Sequence, residues 1–260
     1  MLLIDHDSPD YYRMVINNYP DIPVLVYPHG ALSYFAWNGL WKLNPRTTAF
    51  LAYSSGQAEA MKMYGYPNPI HEIGWHWCEQ KPFRHIEQPK KLLFAPIHPL
   101  NNGWMWQEIK ERNAEILDML IKSDMEVTVR YIGSIASNGL WHDGRANYVQ
   151  GNQDNSFVDI DHTDVVVAHG TFAYMSVARG TPTIMYAQDI TLWDGSKDDN
   201  LRFVNDWETY RELIEYPYSI EDGMSPSKPL IDYVVKEWAD KYIGQPLTAE
   251  RLNEVLEQYI

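Results

Sequence analysis

Two His-Gly pairs, each directly behind a short apolar run, are the residues whose type and spacing best suit chemistry. His29-Gly30 follows Pro23–Tyr27, and His169-Gly170-Thr171 follows Asp164–Ala168. An imidazole titrates near neutrality and can take a proton from an attacking hydroxyl, which is the chemistry open to His29. At the second pair, a strand is expected to end at Ala168, with a tight turn leading into a helix. Gly170 admits close approach to the backbone, and Thr171 supplies a hydroxyl and an N-cap. Free N–H groups and the helix dipole would make this an anion site suited to a diphosphate. The helix should close at Gly180 and the next strand run to Ala187. Asp189 at its exit would then face a ribose or sugar hydroxyl pair. An ordinary strand–helix–strand unit with a capping Thr explains the same residues, and a hydrogen-bonded loop histidine explains His29.

Three further candidates sit behind other apolar runs. His98 opens the loop His98–Gly103 after Leu92–Ile97, where doubly wound folds place phosphate-contacting backbone. Gly133 and Ser134 form a turn after Glu126–Ile132, and Arg130 within that run is a cation that could face the same edge, or be ion-paired. The loop lacks a G-x-G-x-x-G pattern, which argues against nicotinamide or flavin, and the chain has neither a P-loop nor a G-x-S-x-G elbow. His71-Glu72 and His76 imitate a zinc-protease helix. Their spacing would put the two imidazoles about 140° apart on a helix, with Gly74 between them. Asp5-His6-Asp7 are consecutive and do not converge in a strand. No metal is expected.

The elements that must position these groups follow from apolar patterning. Pro23–Tyr27, Ala49–Tyr53, Leu92–Ile97, Glu126–Ile132, Asp164–Ala168 and Pro182–Ala187 read as buried strands, because continuous apolar runs suit a parallel sheet covered on both faces. Trp106–Lys122, with Ile109, Ile116, Leu117 and Leu120 at helical spacing, reads as a helix. This alternation predicts an α/β, doubly wound architecture. Glu79–Lys91, polar and carrying two prolines, reads as an interdomain linker. It separates residues 1–85 from residues 91–260. Beyond Asp189 the pattern is helical over Asn200–Tyr216 and Leu230–Tyr242. A last helix is capped by Thr248.

Composition narrows the function classes. The formal net charge of −14 across 260 residues, with no Lys/Arg run, argues against tight nonspecific binding to a polyanion. The 10 Trp and 18 Tyr suit a core, and equally the stacking of sugar rings or bases. Cys78 is the single cysteine, so no internal disulfide can form. No segment is apolar enough for a membrane span, and the first residues meet an acidic side chain too early for a secretory signal. A cytoplasmic location is the expectation.

At these residues the chain resembles GT-B glycosyltransferases, most of all the CDP-glycerol glycerophosphotransferase (teichoic-acid polymerase) branch. The likeness covers Pro23 to Asp189. That branch carries a strand and His-Gly turn in its first lobe, as Val24–Leu32 does here. Later comes an Asp followed by three apolar residues, a helix opened by small hydroxyl residues, then Gly-x-Pro, a strand and a terminal Asp. Asp164 to Asp189 follows this order, with Gly180-Thr181-Pro182 as the Gly-x-Pro. Ser54–Gly74 is similar to the family's passage into its hinge. Two departures stand out: the turn at His169 is one residue shorter than the family's, and the first lobe is shortened.

The resemblance implies a GT-B-like fold of two Rossmann-like lobes, the first shortened, with a C-terminal helical segment. Residues 1–85 would form the acceptor-side lobe. Residues 91–260 would form the donor-nucleotide lobe with the terminal helices. It further implies His29 as catalytic base. His98, Arg130, Gly133, Ser134, His169, Gly170, Thr171 and Asp189 would lie around the donor. The activity implied is metal-independent transfer from a nucleotide-diphosphate sugar or CDP-glycerol-like co-substrate, with no other cofactor. The acceptor is a hydroxyl on a glycan, a polyol or a modified nucleobase. A second copy of the chain is a further candidate partner, able to complete the short lobe. The competing readings are a phage-type DNA-base glycosyltransferase, a nucleotide- or glycan-binding scaffold without turnover, and a nucleotide-sugar epimerase.

Overall fold

The structure is a computed structural model that describes residues 1–4, 18–27, 47–63, 65–76, 79–86, 88–96, 106–152, 155–168, 170–185, 236–237, 239–241 and 243–260. The described chain divides into two compact units. One gathers Met1–Gln80 with Lys236–Ile260, and the other begins at Lys81.

The first unit is built on a parallel sheet in the order β1-β2-β3-β4, from β1 (Leu2–Ile4), β2 (Val24–Val26), β3 (Ala49–Ala52) and β4 (Ile70–Glu72). β2 and β3 are the first two apolar runs of the sequence, and every residue in them is buried. Helix α1 (Ser55–Met63) follows β3 directly. The Ser54 hydroxyl accepts the Gln57 N–H at 3.2 Å, satisfying one of the donors a helix start leaves open. One face of the sheet packs Val24, Val26, Phe50 and Ala52 with Met61 and Tyr66. The other face sets Leu25, Ala49, Leu51 and Ile73 against Leu252, Val255 and Leu256 of α5 (Ala249–Leu256). Each such large side chain contributes about 1.5–3 kcal/mol by leaving water.

The terminal helix therefore belongs to the first unit and not to the second, where sequence order had put it. Its apolar stripe is what the rear face of this sheet requires. Its predicted cap is present, since the Thr248 side chain accepts the Arg251 N–H at 3.3 Å.

The second unit carries a five-stranded parallel sheet in the order β7-β6-β5-β8-β9. The strands are β5 (Lys91–Ala95), β6 (Glu126–Tyr131), β7 (Ala146–Gln150), β8 (Val165–Ala168) and β9 (Thr183–Met185). Helix α2 (Trp106–Leu120) falls where the periodicity placed it. Its Ile116, Leu117 and Leu120 meet Leu92, Phe94, Val127, Val129 and Val167 on one face of the sheet. Leu93 and Val166 alternate to the opposite face and are also buried, as the continuous apolar runs required. Helices α3 (Ser156–Asp161) and α4 (Gly170–Ala178) also belong to this unit.

Residues 81–86, read from sequence as part of a linker, are hydrogen-bonded into this second unit. The Lys81 N–H donates to Ala178 O at 2.7 Å and the Arg84 N–H to Gly180 O at 2.7 Å. The Arg84 guanidinium donates to the carbonyls of Ile160, Asp161 and Thr163. Gly180 makes this docking possible. Its φ of +71° ends α4, and a Cβ there would stand 2.0 Å from Pro82 O. The helices expected over Asn200–Tyr216 and most of Leu230–Tyr242 lie outside the described residues. Among the described residues no helix is long and apolar enough to cross a membrane.

Candidate functional site

In a parallel sheet every strand delivers its carboxyl end to the same edge, and the loops there are the natural place for a ligand. In the second unit this edge collects the turn after β6, the exit of β5 and the β8–α4 junction. β5 lies between β6 and β8, so Gly133-Ser134 and Gly170-Thr171 stand one strand apart on one edge.

The β8–α4 junction is the tight turn the sequence suggested. β8 ends at Ala168 and α4 begins at Gly170, two residues on. Thr171 is therefore the second residue of the helix, not its N-cap: the helix begins two residues earlier than a capping Thr171 would allow. It lies in the first turn of the helix, the end at which the dipole favours an anion. The helix closes as expected, with Gly180 N–H on Val177 O at 2.9 Å and Thr181 N–H on Ser176 O at 3.1 Å, the paired bonds of a left-handed helix end.

The turn after β6 is organised by its own side chains. The Ser134 hydroxyl accepts the Ser137 N–H at 3.1 Å, and the Ser137 hydroxyl accepts the Ser134 N–H at 3.1 Å. The Asn138 amide donates to Ile132 O and Ser134 O, each at 2.7 Å. Gly133 has a φ of +75°, and Ser134 is exposed.

Arg130 lies lower in the same strand and is 6% exposed. Its Nε donates to Asp159 Oδ2 at 2.9 Å, and its Nη2 to Ser156 Oγ at 2.8 Å, Asn155 Oδ1 at 3.1 Å and Asn152 O. The Phe172 ring of α4 covers the guanidinium, 4.6 Å from Cζ. Burial lowers its affinity for the proton, and the Asp159 hydrogen bond and charge pull it back up. The ion-paired reading of Arg130 is what the geometry contains: the guanidinium ties β6 to the β7–α3 turn and to the first turn of α4.

In the first unit the corresponding edge carries a group that sequence reading did not connect. Tyr27, just past β2, reaches the loop beyond β4. Its hydroxyl stands 2.9 Å from His76 Nδ1, 3.1 Å from the His76 N–H and 3.3 Å from Gly74 O. Burial pushes the Tyr27 phenol up to about 12. His71 is on strand β4, not on a helix, and its Nε2 pairs with the Tyr259 hydroxyl at 2.7 Å. The available signal was that Tyr27 closes the apolar run Pro23–Tyr27; its pairing with His76 across 49 positions is not readable from spacing.

His29, His98, His169 and Asp189 lie outside the described residues. Among the described residues, no group of three or more His, Cys, Asp and Glu side chains is arranged to hold a metal ion.

No family model matches the chain, and no curated protein does. Solved structures do. MnaA of S. aureus, solved with UDP, aligns over 99% of this chain and 73% of its own, with a TM-score of 0.58 at 10% identity. The GtfA/B complex aligns over 95% of this chain at 11% identity and a TM-score of 0.46. The glycosyltransferase SnogD from Streptomyces nogalater aligns over 90% of this chain and 66% of its own, at 11% identity and a TM-score of 0.41. The chain spans 55% of the GtfA/B chain it matches. Its fold is α/β and GT-B-like, with two Rossmann-like units.

Proposed function

We propose that this chain is a glycosyltransferase-like enzyme that moves a sugar or polyol-phosphate group from a nucleotide-diphosphate donor to an acceptor hydroxyl, without a metal. The observation that carries the reading is the junction of β8 and α4. It aims the start of a nine-residue helix at the carboxyl edge of a five-stranded parallel sheet. MnaA, similar in fold over 99% of this chain, was solved with UDP, which supports a nucleoside diphosphate as the ligand class.

In this reading Gly170 and Thr171 hold the donor's diphosphate at the helix start, with His98, His169 and the Gly133-Ser134 turn around it. Asp189 takes hydroxyls at the donor's polar end. As the bond to the transferred group breaks, negative charge grows on the leaving diphosphate, where preoriented N–H groups stabilise it most. His29 takes the proton of the attacking acceptor hydroxyl. Arg130 acts through Phe172 and Asp159, keeping the first turn of α4 in register with β6. The CDP-glycerol branch rests on the Asp164–Asp189 motif, and a cytoplasmic location on the single cysteine.

A thermal-shift panel of UDP, CDP, GDP, ADP and TDP with their sugar or glycerol conjugates, with and without EDTA, tests the proposal. One nucleotide family should raise the melting temperature and EDTA should leave the shift unchanged. No shift at millimolar nucleotide would remove the donor site. A shift without hydrolysis or transfer would turn the reading to a nucleotide-binding scaffold.

A further inference from the structure

The 10 tryptophans of the sequence suit a core or a stacking surface, and the structure shows both uses. Trp75 is fully buried, whereas Trp141 is 39% exposed. Trp141 opens the stretch Trp141-His142-Asp143-Gly144-Arg145, which leads directly into β7 at the amino edge of the second unit's sheet. The strands are parallel, so this edge lies a strand's length, about 16 Å, from the one carrying the β8–α4 junction. The proposed transfer reaction uses none of these residues.

The stretch is held at several points. The Tyr148 hydroxyl donates to Trp141 O at 2.6 Å and receives the Asp143 N–H at 2.9 Å. The Ala146 N–H closes a turn on Asp143 O at 3.1 Å. The Arg145 guanidinium donates from Nε to Asp143 Oδ1 at 2.9 Å and from Nη2 to Oδ2 at 2.7 Å. The Arg145 backbone N–H adds a bond to Oδ1 at 2.9 Å. These bonds hold the carboxyl below the usual carboxylate range, and the Trp141 side chain is a further donor to it. The indole is thus tied to the turn through its ring N–H as well as its backbone carbonyl. An exposed ion pair adds little stability, so fixing the shape of this turn is its main effect. The His142 ring stands edge-on to Tyr148, 4.7 Å between centroids.

Groups able to bond a ligand stand around the indole. Among the described residues, Arg145 Nη1 and the His142 imidazole have no hydrogen-bond partner, and both residues are exposed. A Cβ at Gly144 would meet nothing within 4 Å, so the space beside the turn is open. An apolar ring face bordered by polar groups matches a sugar ring, whose C–H face stacks while its hydroxyls bond at the rim. A ring already held in place loses little freedom when a ligand settles on it. Asp143 and Arg145 balance in charge, which favours a neutral ligand over a phosphate. An apolar peptide or a lipid would have to strip water from both charges without replacing it.

We infer that Trp141 is the stacking platform of a neutral-glycan site at the amino edge of the second sheet, with Arg145 and His142 bonding the sugar's hydroxyls. The site is separate from the diphosphate site and does not depend on the transferase reading.

The test uses the whole chain with its tryptophans labelled with ¹⁵N, so that each indole N–H gives one resonance. Trp141→Phe identifies the Trp141 signal by its loss. Cellotriose, maltotriose and chitotriose are the probes, with inorganic phosphate as the anionic control. At least one trisaccharide should move the Trp141 resonance saturably at millimolar concentration, and phosphate should leave it in place. Calorimetry with that sugar should show binding weakened by about tenfold or more in Trp141→Ala. Gly144→Val, which fills the open space and removes no contact, should weaken it as well. A Trp141 resonance that none of the three sugars moves overturns the inference. So does a response to phosphate alone, or sugar binding that Trp141→Ala leaves unchanged. Nucleotide stabilisation is read in a separate experiment, so the transferase reading and the glycan site can fail independently.

Discussion

The Arg130 guanidinium of β6 lies 4.6 Å from the centre of the Phe172 ring, so the first turn of α4 rests on a charge delivered by a strand two places away in the sheet. The same side chain holds Asp159, Ser156 and Asn155. One buried cation thus links the β7–α3 turn to the proposed diphosphate site, which makes it a control on that site's geometry and not one of its contacts.

Replacing Arg130 by Met should destabilise the chain by about 3–5 kcal/mol, the usual cost of leaving one partner of a buried ion pair behind. Asp159, whose side chain is 19% exposed, is the partner left. Urea unfolding checks the value. Adding Asp159→Asn to Arg130→Met should recover part of the loss, because the orphaned charge is then gone.

Gly180→Ala and Gly65→Ala form a matched pair. Both glycines have φ near +70° (+71° and +75°), and Ala in that conformation costs about 1–3 kcal/mol. A Cβ at Gly65 meets nothing within 4 Å, whereas one at Gly180 would stand 2.0 Å from Pro82 O. Gly180→Ala should therefore lose clearly more stability in the same urea experiment. Equal losses would mean that residues 81–86 do not dock on the second unit.

Asp161 couples stability to acid. The Arg179 hydrogen bond, followed by the Arg179 and Lys81 charges, holds its carboxyl below the usual carboxylate range. Its folded value is depressed, so its contribution is present above the unfolded value of about 3.9 and is lost as pH falls through the folded value. Asp161→Asn should flatten the stability curve in that acid window and leave its slope near neutrality unchanged.

His71 acts in a milder window. Burial lowers its affinity for the proton, and its Nε2 meets the Tyr259 hydroxyl at 2.7 Å. Below about pH 6.5 the unfolded chain takes up a proton that the folded chain resists, so stability declines as pH drops from there towards the folded value. Unfolding of His71→Gln, measured at a series of pH values, should lack this decline.

Thr171→Trp should abolish nucleotide stabilisation by filling the approach to the helix start. A nucleotide at a hundred times its dissociation constant stabilises a native state by about 2.7 kcal/mol. That increment should vanish from the thermal-shift panel.

Much of the fold was legible because burial on both faces writes itself as unbroken apolar runs. β2, β3, β5, β6, β8 and β9 each coincide with such a run. Three strands escaped notice: β1, Leu-Leu-Ile, whose run is only three residues long, and β4 and β7, which lack one. β4 reads Ile-His-Glu, and β7, at the edge of its sheet, reads Ala-Asn-Tyr-Val-Gln, half-buried and mixed in polarity. Pairing with a neighbour, not composition, makes these segments strands. The candidate site was legible to the same degree. The β8–α4 junction came from a run of Val residues followed by Gly and Thr, but its register, with Thr171 inside the helix, was set by where the hydrogen-bond ladder begins.

The sequence by itself determined the α/β class, the helix over Trp106–Leu120, the Thr248 cap and the presence of a helix directly behind β8. All of these follow from local periodicity and local hydrogen bonding. Only the tertiary structure decided that α5 packs under the first sheet, that Arg130 is paired with Asp159 and covered by Phe172, and that Tyr27 meets His76. These relationships join residues far apart along the chain. A contact of that kind is set by which buried charges and apolar faces must find a partner once the sheets have formed, and no window of neighbouring residues contains that information.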